Sequence, residues 1–277
     1  VRRLGKSYLN YAVDPFISGV YAGDPHSLVT RYALPKLYNL EQNYGSFIRG
    51  GIAKGRERKT ERDRLATKKV FSEVGGLQHL VDAMAQSVGF QNIVLQANNV
   101  VVTPLEGIWQ VNYTNTSGEK ISLHSRHVVT TVGAYELKTM LPFVDNADIM
   151  PISALHYAPI VQVSVGLTNA QGVENKAFGG LIPTCEQQQL LGILFPSACF
   201  SHRCPTQGAL FSFFLGGVKH AEMLTKNDNE LCEIVTKALP TMLRFPHDIH
   251  PEMIRIFRHE RAIPQYELSS GERFAAI

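Results

Sequence analysis

Residues 14–25 read Asp-Pro-Phe-Ile-Ser-Gly-Val-Tyr-Ala-Gly-Asp-Pro, two Asp-Pro pairs and two glycines within twelve positions. Proline has no N–H to donate and pushes the residue before it towards extended backbone. Gly19 and Gly23 admit positive φ or a close neighbour. The run therefore predicts an irregular loop, neither a regular helix nor a central strand. Phe16, Val20 and Tyr21 predict that this loop is at least half buried. A buried loop must pair every backbone polar group, a cost usually met where a ligand or a domain junction requires it. Asp14 and Asp24 are expected to cap the next turn locally.

Around this run the hydrophobic period is helical. Residues 4–13 predict a short amphipathic helix that stops at Asp14-Pro15. Residues 28–48 predict a second helical stretch, with Pro35 at its N1 position or a kink, ended by Gly50-Gly51. Residues 54–69 hold eight basic and three acidic side chains, a local +5 that exceeds the +3 of the whole chain. With almost no apolar residues, the segment predicts a solvated linker. It has no interleaved aromatics, which argues against nucleic acid. Gly75-Gly76 then opens a helix through Leu80, Val81, Met84, Ala85 and Val88.

From residue 93 the period shortens to two. Residues 100–102, 108–111 and 128–132 predict strands of a meander, with turns at Glu106-Gly107 and Ser117-Gly118 and Trp109 packed beneath it. Residues 133–141 predict a short helix. Further strands are expected at 160–167, 178–182, 190–195, 210–215 and 253–259, with helices at 219–224 and 227–239. Helices, a mixed interval and then sheet with helices give an α+β (mixed α/β) class in at least two units.

With 277 residues, 44% of them hydrophobic, the chain can bury a real core. Its four cysteines have no framework spacing, which predicts reduced thiols and a cytoplasmic setting. Cys199, His202 and Cys204 lack a second ligand pair, so no metal site is expected. No apolar run reaches the roughly 18 residues of a membrane span. Nucleophile elbows, phosphate loops, dinucleotide fingerprints and zinc helices are absent, and no histidine pairs with a nucleophile at recognisable spacing. What stands out is glycine beside large hydrophobes in three predicted strands: Phe178-Gly179-Gly180-Leu181, Leu191-Gly192-Ile193-Leu194 and Phe213-Phe214-Leu215-Gly216-Gly217. Such interruptions either line a flat apolar pocket or serve sheet packing.

Several of these stretches resemble the protoporphyrinogen oxidase family, FAD-dependent enzymes of haem synthesis within the amine-oxidase superfamily. Residues 14–28 are similar to its D-P-F-x-x-G-V-Y-A-G-D-P-x-x-L motif. Further similarities follow in family order: Pro35 to Gly50, Phe71 to Gln78, His127 to Ala134 and Ile263 to Tyr266. The resemblance implies an FAD-linked amine-oxidase-like architecture. Residues 1–69 would be the tail of a helical, membrane-facing domain with a basic linker, 70–140 a middle strip of the FAD domain, and 141–277 a substrate domain. It implies FAD as cofactor, with the Val100 backbone on the adenine side. It implies a tetrapyrrole pocket lined by Phe178, Gly179, Leu181, Leu194 and Phe214.

Implied partners are a porphyrinogen and molecular oxygen, with peripheral contact to the inner face of the cytoplasmic membrane; a homodimer stays open. The family's opening G-x-G-x-x-G unit, its closing FAD segment and an early arginine that pairs with a porphyrin propionate find no match. The chain is therefore expected to be a central portion, inactive alone. Protoporphyrinogen IX and coproporphyrinogen III are not distinguished. A non-catalytic binding protein and another flavin oxidase remain the alternatives.

Overall fold

The computed structural model describes residues 5–57, 60–67 and 69–275. Leu4 of the first predicted helix, and Arg58, Lys59 and Lys68 of the basic segment, lie outside them. The helices that matter here are α1 (Asp14–Tyr21), α2 (Pro35–Tyr44), α3 (Phe47–Arg56), α4 (Gln78–Val88), α5 (Asn146–Ser153) and α6 (Asp228–Leu243). The strands are β1 (Asn98–Leu105), β2 (Ile108–Thr114), β3 (Lys120–Ser125), β4 (Tyr157–Leu167), β5 (Gly179–Leu181), β6 (Gly192–Leu194), β7 (Ala209–Gly216) and β8 (Met253–Pro264). This is the mixed helix-and-sheet class that the sequence predicts. The chain divides into two compact units, one from the described residues of Val1–His79 with Tyr157–Glu267, the other from those of Leu80–His156 with Leu268–Ile277.

The first unit is built on an antiparallel sheet of order β5-β6-β7-β4-β8. Side chains alternate across a strand, so one face of the sheet is apolar and closed. Val161, Val163, Val165 and Leu167 of β4 and Phe211, Phe213 and Leu215 of β7 turn to that face. They pack on Leu231, Val235, Ala238 and Leu239 of α6, a spacing that sets one stripe of the helix inward. The start of α6 is fixed by a capping box between Asn227 and Glu230.

The second unit holds the β1-β2-β3 antiparallel meander and α5. Its turns come, as predicted, at Gly107 and Gly118, and both glycines have positive φ. Trp109 packs against Phe143 with ring centroids 5.5 Å apart.

Four local expectations are corrected. The Asp-Pro run is not a loop from its start: residues 14–21 form α1. A π turn over Leu9–Val13 precedes it, with the Asp14 N–H donating to the Leu9 carbonyl, so helical backbone leads straight into the proline. Pro15 then sits in the first turn of α1, directly after the π turn. Gly19, mid-helix, marks a close approach: a Cβ there would lie 2.5 Å from Leu181 Cδ2 and 3.2 Å from the Leu191 carbonyl oxygen. The run is largely buried, but through Asp14, Pro15, Ile17 and Ser18; of the residues that predicted burial, Phe16 and Val20 are exposed and Tyr21 is half-buried.

The second helical stretch ends earlier than predicted. Gly45, at φ +69°, closes α2, and Gly50-Gly51 lies inside α3, whose start is capped by Ser46. The described residues of the basic segment are exposed but partly helical, with α3 running to Arg56 and a Thr60–Asp63 capping box opening Glu61–Leu65. Residues 128–132 are no strand. The third strand of the meander is β3, and Val129 is left 86% exposed, with no ladder partner among the described residues. β-propensity alone does not make a strand where no neighbour supplies hydrogen bonds.

Candidate functional site

A cavity of about 560 Å³ opens on the other face of the β5-β6-β7-β4-β8 sheet. Gly179, Gly180 and Leu181 of β5, Gly192, Ile193 and Leu194 of β6, Phe214 of β7, and Ile160 and Gln162 of β4 line it. His259, Ala262 and Ile263 of β8 extend it, and Phe16, Gly19 and Val20 of α1 form a side wall. Its volume lies within the range of small-molecule sites, and rigid strands supply most of its lining. A hollow of about 640 Å³ bounded by residues 169–176 and Gly208 is larger, but polar loops line much of it. The strand-built apolar cavity is the better candidate.

The five residues expected to line a tetrapyrrole pocket, Phe178, Gly179, Leu181, Leu194 and Phe214, all come together here. Two of the three glycine-interrupted strands therefore contribute glycine to the lining. Gly192 also serves packing: a Cβ there would lie 2.9 Å from the Gly180 carbonyl oxygen, so its absence lets β5 and β6 approach. Gly216 and Gly217 lie outside the lining. Sequence reasoning missed α1 as a wall, and β4 and β8 as part of the floor. The β4 signal was present: Ile160, Gln162 and Ser164 alternate with the core residues Val161, Val163 and Val165.

Val100 lies in the second unit, on β1. The β1–β2 register breaks between Asn98 and Val101, with Asn99 at φ +53°. The Val100 backbone is thus outside the regular ladder. Among the described residues no three His, Cys, Asp or Glu side chains cluster as metal ligands would.

A polar clip holds α1 against the sheet. Asp14 accepts from the Thr184 N–H at 2.7 Å, the Thr184 hydroxyl at 3.0 Å and Lys219 Nζ at 2.6 Å. Burial resists its ionisation, but the hydrogen bonds from Lys219 and Thr184 outweigh that and hold the carboxyl below the usual range. Asp14 is therefore not the expected local cap: its carboxylate partners lie 170 and 205 residues away. Asp24 does act locally, accepting from the His26 N–H at 3.0 Å. At the other end of α1, Gln265 donates to the Tyr21 carbonyl at 2.9 Å. The Pro-Gln-Tyr stretch thereby closes on the opening run.

Residues 1–269 match the family model described as flavin containing amine oxidoreductase. The chain belongs to that family. Among curated members, it is 31% identical to protoporphyrinogen oxidase 1 of Arabidopsis thaliana chloroplasts over 96% of this chain and 52% of that protein. It is 26% identical to the human protoporphyrinogen oxidase over 98% of this chain and 58% of the other. The chain thus spans about half the length of the curated relatives it matches. Among solved structures of this fold, one assigned as a protoporphyrinogen oxidase from Exiguobacterium sp. 255-15 superposes with TM-score 0.74 at 18% identity, covering 99% of this chain and 56% of that one. The cyclohexylamine oxidase of Brevibacterium oxydans superposes with TM-score 0.63 at 13% identity, over 99% of this chain and 57% of that one. The likeness to protoporphyrinogen oxidases therefore rests on sequence as well as on fold.

Proposed function

We propose that this chain is the porphyrinogen-holding part of an FAD-dependent oxidase. The enzyme would convert protoporphyrinogen IX or coproporphyrinogen III to the porphyrin, with molecular oxygen as acceptor, in haem biosynthesis. The observation that carries the reading is the convergence of Phe178, Gly179, Leu181, Leu194 and Phe214 on one apolar cavity. A porphyrinogen is a large apolar macrocycle, and its reacting methylene bridges need a dry, oriented setting more than an acid or base. The Val100 backbone would meet FAD, and the bound flavin would supply the two-electron acceptor. Phe214, Leu194 and the β5–β6 glycines offer a flat surface for the ring, and Phe16 and Val20 exclude water from its edge. In this reading residues 1–69 belong to a membrane-facing domain, 70–140 to the FAD domain and 141–277 to the substrate domain. The resemblance also supports a cytoplasmic setting with peripheral membrane contact. No helix among the described residues is long and apolar enough to cross a membrane.

The full-length protein is expected to produce porphyrin fluorescence from either porphyrinogen, with oxygen consumed. Turnover of amines without turnover of porphyrinogens would overturn the reading. The 277 residues expressed alone are expected to carry no stoichiometric flavin and to show no oxidase activity. Flavin absorbance near one per chain would sink that expectation.

A further inference from the structure

In the cavity, the side chains facing the ligand space are apolar or absent apart from Gln162 and His259. Among the described residues, neither of these two has a hydrogen-bond or ionic partner. The β4–β8 register pairs Ile160 with His259, Gln162 with Phe257, and Ser164 with Arg255. Residues two apart on a strand share a face, so Arg255, Phe257 and His259 stand on the cavity side of β8. Ile254 and Ile256 alternate with them and pack into the core on the other side. Arg255 is exposed and likewise has no partner among the described residues. It sits four residues from His259 on one face, roughly 13 Å along the strand. β8 is the last strand of the sheet order, so this face borders the cavity at one end of the sheet.

An apolar cavity cannot receive a carboxylate unless a donor or a cation meets it. The wall made by α1, β5 and β6 offers no such side chain among its lining residues. β8 offers two, and an arginine presents the planar fork that suits a carboxylate.

We propose that β8 is an acid-recognising side of the site: His259 at the cavity and Arg255 beyond Phe257 bind peripheral carboxylates of the ligand whose ring the apolar wall holds. This rests on the porphyrinogen reading and deepens it. The selected ligand class is a tetrapyrrole with free acid arms, discriminated against its neutral esters. Because Arg255 and His259 are exposed, a bound carboxylate keeps some water and each contact is of moderate strength.

The test is fluorescence titration of the full-length protein with protoporphyrin IX and with its dimethyl ester. The pair His259→Leu and Arg255→Leu, made singly and together, is compared with the unsubstituted protein. The double variant is expected to bind the diacid about tenfold more weakly and the ester within about twofold of the unsubstituted protein. Arg255→Lys should restore part of the loss. Retained ester binding also shows that the variants are folded. Equal loss for acid and ester, or no loss for either, overturns the proposal and leaves the porphyrinogen reading standing. Failure of the unsubstituted protein to bind either compound removes the porphyrinogen reading, and this proposal with it.

Discussion

Phe213→Ala is expected to destabilise the sheet-bearing unit by about 4 kcal/mol. Phe213 is 0% exposed and lies in the main core. Its neighbour Phe211 makes ring contacts with Phe213, Phe195 and Phe245 at centroid distances of 6.3, 5.5 and 5.8 Å. Truncation removes apolar area and leaves a void that β4 and α6 cannot close without shifting. The measurement is equilibrium unfolding read by hydrogen exchange at the β4 and β7 amides, which lie in this unit alone. Phe214, the next residue, turns to the cavity instead. Phe214→Ala should therefore cost less stability than Phe213→Ala. Equal costs would contradict the assignment of the two faces.

Asp14→Ala is expected to destabilise the same unit by about 2–3 kcal/mol. The Asp14 side chain is 10% exposed and that of Lys219 19%, so the loss leaves one ammonium and the Thr184 N–H short of a partner. The figure is below that of a fully buried pair because Lys219 retains some contact with water, and Asp24 lies 3.9 Å from it. The dependence on pH has a definite sign. The folded carboxyl titrates below its ordinary value, so its contribution is present above about pH 4 and is lost as the pH falls through the lowered folded value. Asp14→Ala should therefore lose the acid-side slope below about pH 4 as well as the stability at neutral pH. Unfolding curves at neutral and acid pH check both. A variant that keeps the slope would remove Asp14 from this role.

The contrast between these two residues marks what a sequence can disclose. Phe213 belongs to a local apolar run on β7, and a strand was predicted there. Asp14 was read as a local cap because its carboxylate partners, Thr184 and Lys219, are far along the chain. Likewise, residues 128–132 have strand-forming side chains, but pairing requires a neighbour that local propensity does not reveal. The prolines of residues 14–25 argued against a helix. The π turn before Asp14 and the first-turn position of Pro15 are geometric facts that composition does not encode.

The sequence by itself determined the α+β class and most strands, because period is a property of neighbours in the chain; glycine placement marked the interrupted strands, and the resemblance to the family named the five residues that meet in one cavity. The tertiary structure decided that the opening run is a helix clipped at both ends, by Lys219 and Thr184 at one and by Gln265 at the other. It also decided that β8 pairs with β4, which brings His259 to the cavity and sets Arg255 along the same face. Those outcomes depend on which distant segments become neighbours, and contacts across the fold settle that where local preference cannot.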